Sequence, residues 1–173
     1  MATAPETLTL EEHRDRTRTA ARRGRHAGLL VLAVIPVAAL LNVFGQRPET
    51  SSAATSAARL QVYAPTHARS GNVYAARFRV DAFRELRRAT LVLDPGWAEQ
   101  YTVNGAAPQP LAEGSADGKL EFVLGHIPKG SHYTFFLSLQ VNPTNVGRHS
   151  QDVSLLDGSR RLIVMRRSIT IWP

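Results

Sequence analysis

Three histidines, His126, His132 and His149, lie in the second half of the chain with Ser150 and Asp152 beside the last of them. Histidine and aspartate together can hold a metal, or can act as base and orienter for a serine nucleophile. Neither chemistry has its diagnostic spacing here, such as two histidines four apart on a helix. His126 and His132 flank the turn Ile127-Pro128-Lys129-Gly130, where exposed histidine is common. Cysteine is absent, so there is no thiolate site, thiol nucleophile or disulfide, and a copper site of the sandwich type would lack its sulfur ligand. Gly-rich phosphate loops, nucleophile elbows and paired-carboxylate motifs are absent too. The expectation is a non-enzyme with no catalytic residues, no metal ligands and no cofactor. Two tryptophans remain as candidates for a contact surface. Trp97 follows the turn Asp94-Pro95-Gly96, and Trp172 stands next to the C-terminus. Each has a bland reading beside the functional one: Trp97 as a lid on a core, Trp172 as a pin on the last strand.

The elements that would position these residues fall into two kinds. Ala27 to Phe44 (AGLLVLAVIPVAALLNVF) has no charged residue. As a helix its 18 residues would rise about 27 Å, close to the ~30 Å hydrocarbon thickness of a bilayer. The expectation is a single transmembrane helix over residues 27–44, uncleaved because no small-x-small site closes the run. Residues 1–26 form a basic segment, and between Arg14 and Arg25 six arginines, Arg14, Arg16, Arg18, Arg22, Arg23 and Arg25, stand against one acid, Asp15. Such a cluster stays in the cytoplasm beside anionic lipid, which places the N-terminus inside and the rest outside. Residues 45–58 (GQRPETSSAATSAA) have linker composition.

From residue 59 the apolar period becomes two. Tyr74, Ala76, Phe78, Val80 and Ala82 share one face, with Arg77, Arg79 and Asp81 on the other. Thr90 to Asp94, residues 100–104, Leu120 to Leu124, Tyr133 to Val141 and Val153 to Leu155 read as further strands, and residues 105–118 as a loop. Asp157-Gly158 marks a hairpin. The last strand, Arg161 to Ile171, has two phases open. Either Ile163, Met165, Ile169 and Ile171 face inward with Arg167 among them, or Leu162 and Val164 do, with a bulge near Arg166. This spacing predicts an antiparallel β-sandwich over residues 59–173, with one core.

The formal charge of +7 divides between residues 1–59 and 60–173, and the arginines are spread along the chain with acids between them, which reads as a solvated surface and not as a nucleic-acid interface. Nineteen arginines against two lysines fit a GC-rich bacterial genome.

Leu124-Gly125 followed by Ile127-Pro128-Lys129-Gly130-Ser131, the long strand Tyr133 to Val141 and the turn at Gly147 resemble the immunoglobulin-like repeat domains of bacterial and archaeal surface proteins. Leu91-Val92-Leu93-Asp94-Pro95-Gly96-Trp97 is similar to the strand of that family that ends in a "LP-x-G" turn. The resemblance implies an all-β immunoglobulin-like antiparallel sandwich, here preceded by a single transmembrane α-helix, acting as a spacer or adhesion module. The expected function is a single-pass, membrane-anchored protein whose extracytoplasmic domain binds another protein or a cell-envelope component, with membrane lipid as the other partner. The alternative is an accessory subunit of an integral membrane complex that meets its partner through the helix itself.

Overall fold

The computed structural model describes the backbone of residues 10–41 and 45–173, and side chains from residue 24 onward. The described residues fall into two units, one up to residue 41 and one from residue 45 onward.

The first unit holds one helix, α1 (Leu10–Leu40). It corrects the expectation of a transmembrane span. The helix takes in the arginine-rich stretch and ends at Leu40, so its uncharged part, Ala27 to Leu40, is only 14 residues long. At 1.5 Å per residue this reaches about 21 Å, well short of a ~30 Å bilayer core. Among the described residues no helix is long and apolar enough to cross a membrane. Residues 42–44 of the expected span lie outside the described residues. The topology role of Arg14, Arg16, Arg18, Arg22, Arg23 and Arg25, the lipid partner, the membrane localisation and the helix-mediated subunit contact all rested on that span.

The second unit is an all-β sandwich. Its first sheet runs in the order β1 (Pro48–Ala54), β2 (Ala58–Pro65), β4 (Val73–Ala82), β9 (His132–Val141), β6 (Tyr101–Ala107). Its second runs β12 (Arg160–Met165), β11 (Val153–Asp157), β5 (Leu86–Leu93), β8 (Lys119–Ile127), β7 (Ala112–Ala116). Both are antiparallel throughout. A three-stranded sheet, β10 (Gly147–Ser150), β13 (Ser168–Trp172) and β3 (His67–Arg69), completes the unit and contains one parallel pair, β13 with β3.

The period-two pattern sets the core. Ala76, Phe78 and Val80 of β4 and Phe135, Leu137 and Leu139 of β9 are fully buried from the first sheet. Leu91, Leu93, Val153 and Leu155 are fully buried from the second. Burial of such side chains at about 1.5–3 kcal/mol each is the main force holding a chain without disulfides. Asp157 and Arg160 close the expected hairpin, with Gly158 at φ 59°, a left-handed conformation that glycine adopts without strain.

Three further expectations are corrected. Residues 48–54, read as linker, form β1 along the edge of β2. Their small polar side chains hide the strand, because an edge strand is held by backbone pairing on one side only. Pro48 stands at its first residue, a place where a missing N–H costs least. Residues 112–116, read as loop, form β7, exposed along its whole length at the opposite edge of the second sheet. The last strand breaks into β12 and β13. Ile163, Met165, Ile169 and Ile171 face the core, and Arg167 at the break is itself only 7% exposed, which selects the first of the two phases.

Candidate functional site

The sandwich places the three histidines on three different strands. His126 ends β8, with Nε2 3.1 Å from Oε1 of exposed Glu85. His132 starts β9, exposed and in register with Asp81. His149 lies on β10 of the small sheet. The Ser150 hydroxyl donates to the Asp94 carboxylate, not to a histidine, and Oδ1 of Asp152 accepts from the Arg167 amide at 2.9 Å. Burial raises the Asp94 carboxyl above its ordinary range, an effect that the Ser150 hydrogen bond opposes. Among the described residues no cluster of three His, Cys, Asp or Glu could hold a metal ion.

Trp97 is not a contact surface. It is 0% exposed, with its ring 5.6 Å from Phe78 and 6.3 Å from Tyr101. It sits in the single turn α2 (Pro95–Glu99), which lies directly on the backbone of Ser150. A Cβ at Gly96 would meet the Ser150 carbonyl oxygen at 1.9 Å, so only glycine allows this approach and the burial of Trp97 that follows from it. Trp172 is partly exposed at the end of β13, where its carbonyl accepts from the Ser70 amide at 2.8 Å and so ties down the strand.

Exposed aromatics gather instead on the outer face of the first sheet. The strand registers align Thr50, Tyr63, Arg77, Phe136 and Ala107 in one row across all five strands. A neighbouring row, two residues along each strand, holds Ser52, Gln61, Arg79 and Thr134. At ~4.8 Å between strands the first row spans roughly 19 Å. Phe136 is 43% exposed and Tyr63 36%, and a depression of about 240 Å³ lies among Gln61, Tyr63, Arg77, Arg79, Thr134 and Phe136. The Arg77 guanidinium lies 5.0 Å from the Tyr63 ring centroid, a cation–π distance that orders both side chains. Nε of Arg79 donates to Oδ1 of Asp81 at 2.9 Å. Arg59, Arg77 and Arg79 stand against Asp81 alone, so this face is positive.

This row was missed in the sequence. The alternation sent Arg77 and Arg79 outward, but Tyr63 and Phe136 were hidden as neighbours of core residues. Each is a large aromatic out of phase with its strand's buried face, and that was the available signal.

No family model and no curated protein matches the chain. Among solved structures it is similar to the chitin-binding domain of a chitinase from Pyrococcus furiosus, at 11% identity and a TM-score of 0.36, covering 68% of this chain and 98% of that one. It is also similar to a GH20 exo β-N-acetylglucosaminidase from Vibrio harveyi, in complex with N-acetylglucosamine, at 10% identity and a TM-score of 0.28, covering 73% of this chain. The likeness spans only 18% of that enzyme's chain. At these values neither likeness bears on ligand or mechanism. The immunoglobulin-like repeat family is not confirmed; the all-β sandwich is what stands.

Proposed function

We propose that the sandwich is a non-catalytic binding domain that holds an acidic protein surface on the outer face of its first sheet. The observation that carries this is the cross-strand row Tyr63, Arg77, Phe136, with two half-exposed aromatics on either side of an ordered arginine. Tyrosine and arginine are enriched among the residues that dominate protein interfaces. Both rings stand on the central strands of a rigid sheet, so little ordering entropy is lost when a partner settles on them. The excess of arginine selects a partner of opposite charge and speeds encounter.

A photo-crosslinking amino acid at position 136 of the full chain, in its native cell, should yield one dominant protein adduct. Arg77→Glu in the same chain should abolish that adduct and leave the melting temperature within a few degrees. A crosslinker-dependent polysaccharide adduct with no protein in it would replace the protein partner by an envelope glycan. An adduct that survives Arg77→Glu and Tyr63→Ala together would remove this face from the function.

A further inference from the structure

A second site lies on the small three-stranded sheet, away from the aromatic row. Register places Arg148 of β10 beside Thr170 of β13, and Thr170 beside His67 of β3. Arg47 continues the same row: its amide donates to the His67 carbonyl at 3.3 Å, and its carbonyl accepts from the Thr66 amide at 3.0 Å. Three basic side chains and a hydroxyl therefore stand in one line about 14 Å long, at ~4.8 Å per strand. They line a cleft of about 570 Å³ whose walls include one acid, Glu49.

The arginine is held ready. Nε and Nη2 of Arg148 donate to the Ser168 hydroxyl oxygen at 3.2 and 3.1 Å. That acceptor is neutral, so it orients the guanidinium without cancelling its charge. Among the described residues Arg148 has no carboxylate partner, and its Nη1 has no protein acceptor. Ser168 accepts both bonds and keeps its own hydrogen to donate into the cleft. Nδ1 of His67 lies 3.2 Å from the Thr66 hydroxyl, and when that hydroxyl donates to Nδ1 the ring proton sits on Nε2, where it can be given to a ligand.

From this geometry we infer an oxyanion site that takes a phosphate group, read by the Arg148 fork with the Ser168 and Thr170 hydroxyls and His67 Nε2. A tetrahedral oxyanion offers acceptors in several directions, which suits donors arriving from three strands, and a forked guanidinium pairs with two of its oxygens. The cleft is larger than a bare phosphate. It has room for a phosphate ester of a small polyol as well as for the free ion.

Isothermal titration of the full chain at low salt, with inorganic phosphate and with glycerol phosphate as probes, tests the site. Saturable binding of at least one probe is expected. Arg148→Ala should weaken it at least tenfold, with Arg148→Lys intermediate because an ammonium cannot reproduce the fork. Glu49→Gln should strengthen binding several-fold by removing the one opposing charge, and this gain cannot come from damage to the fold. Tighter binding of glycerol phosphate than of inorganic phosphate would identify an ester ligand, and equal binding the free ion; both support the site. Absence of saturable binding for both probes, or binding indifferent to Arg148→Ala and to Glu49→Gln, would overturn it.

Discussion

Nη2 of Arg167 donates to the carbonyl oxygen of Ala64 at 3.0 Å in the interior of the sandwich, joining the break between the last two strands to the end of β2. The guanidinium is buried, and burial lowers its proton affinity from the ordinary arginine value. Among the described residues its Nε and Nη1 have no protein partner. Next to it Gln151, fully buried, donates from Nε2 to the Tyr74 hydroxyl at 3.2 Å and to the Tyr101 hydroxyl at 3.0 Å. The Arg167 carbonyl also accepts from the Gln151 amide at 2.9 Å. This polar node ties the small sheet to the core, where nonpolar packing alone would not fix the position of β13.

Arg167→Ala would remove the Ala64 bond and leave a cavity, and should cost roughly 2–4 kcal/mol of stability. Arg167→Met keeps most of the volume and removes the cost of burying a charge, so it should be clearly less destabilising than alanine. Chemical denaturation of the three proteins measures this. Equal losses for Met and Ala would mean that the hydrogen bond, and not packing, carries the effect.

The same node makes stability depend on pH at the alkaline end. Burial pushes Tyr74 up to about 12 from 10.0, with the hydrogen bonds to Tyr101 and Gln151 pulling the other way. Burial raises Tyr101 as well, reinforced by its tyrosine neighbour. Between pH 10 and 12 the unfolded chain has lost the Tyr74 proton that the folded chain still holds. Stability contributed by the neutral hydroxyl is therefore complete below pH 10 and falls as pH rises through that window. At ~1.4 kcal/mol per tenfold change in proton affinity, the coupled Tyr74–Tyr101 pair contributes on the order of a few kcal/mol. Melting temperature should drop steeply above pH 10, and Tyr74→Phe should flatten part of that slope. A melting temperature constant to pH 12 would show that these hydroxyls are not buried as described.

Much of the sandwich was legible because its strands alternate: β4 and β9 bury the residues that the pattern assigned inward. What failed lacked an apolar period. β1 and β7 are edge strands built of Pro, Ala, Ser, Thr, Glu and Gly, with no large apolar side chain to announce them. The uncharged run after Ala27 misled for another reason. Composition gave its length as 18 residues, whereas the helix takes in only its first 14, Ala27 to Leu40. Tyr63 and Phe136 were each legible as aromatics out of phase with a buried face, but their alignment with Arg77 in one row was not, because register between strands far apart in sequence is not written locally. Trp97 had two readings, and the choice between them needed the contact of Gly96 with Ser150.

Because Trp97 is core, Trp97→Ala should lower stability by about 3–5 kcal/mol and the melting temperature by many degrees. Trp97→Phe should recover much of this, since the ring contacts with Phe78 and Tyr101 are largely kept. If Trp97→Ala melts like the parent, its burial contributes nothing and the lid reading fails.

The final prediction concerns where the folded unit begins. The change in apolar period puts the boundary at residue 59, but β1 pairs with β2 from Pro48↔Pro65 to Ala54↔Arg59. A fragment of residues 59–173 would expose the whole β2 edge, and an unpaired edge strand is a template for association between chains. It would also remove Thr50 and Ser52 from the aromatic rows. A fragment of residues 45–173 keeps every strand. The longer fragment should therefore be monomeric, with a β-type circular dichroism spectrum and one cooperative transition. The shorter one should melt lower and form oligomers as concentration rises. Size-exclusion chromatography with light scattering, run beside thermal melts, separates the two outcomes. If both fragments are monomeric and melt together, β1 adds nothing to the fold, and the boundary returns to residue 59.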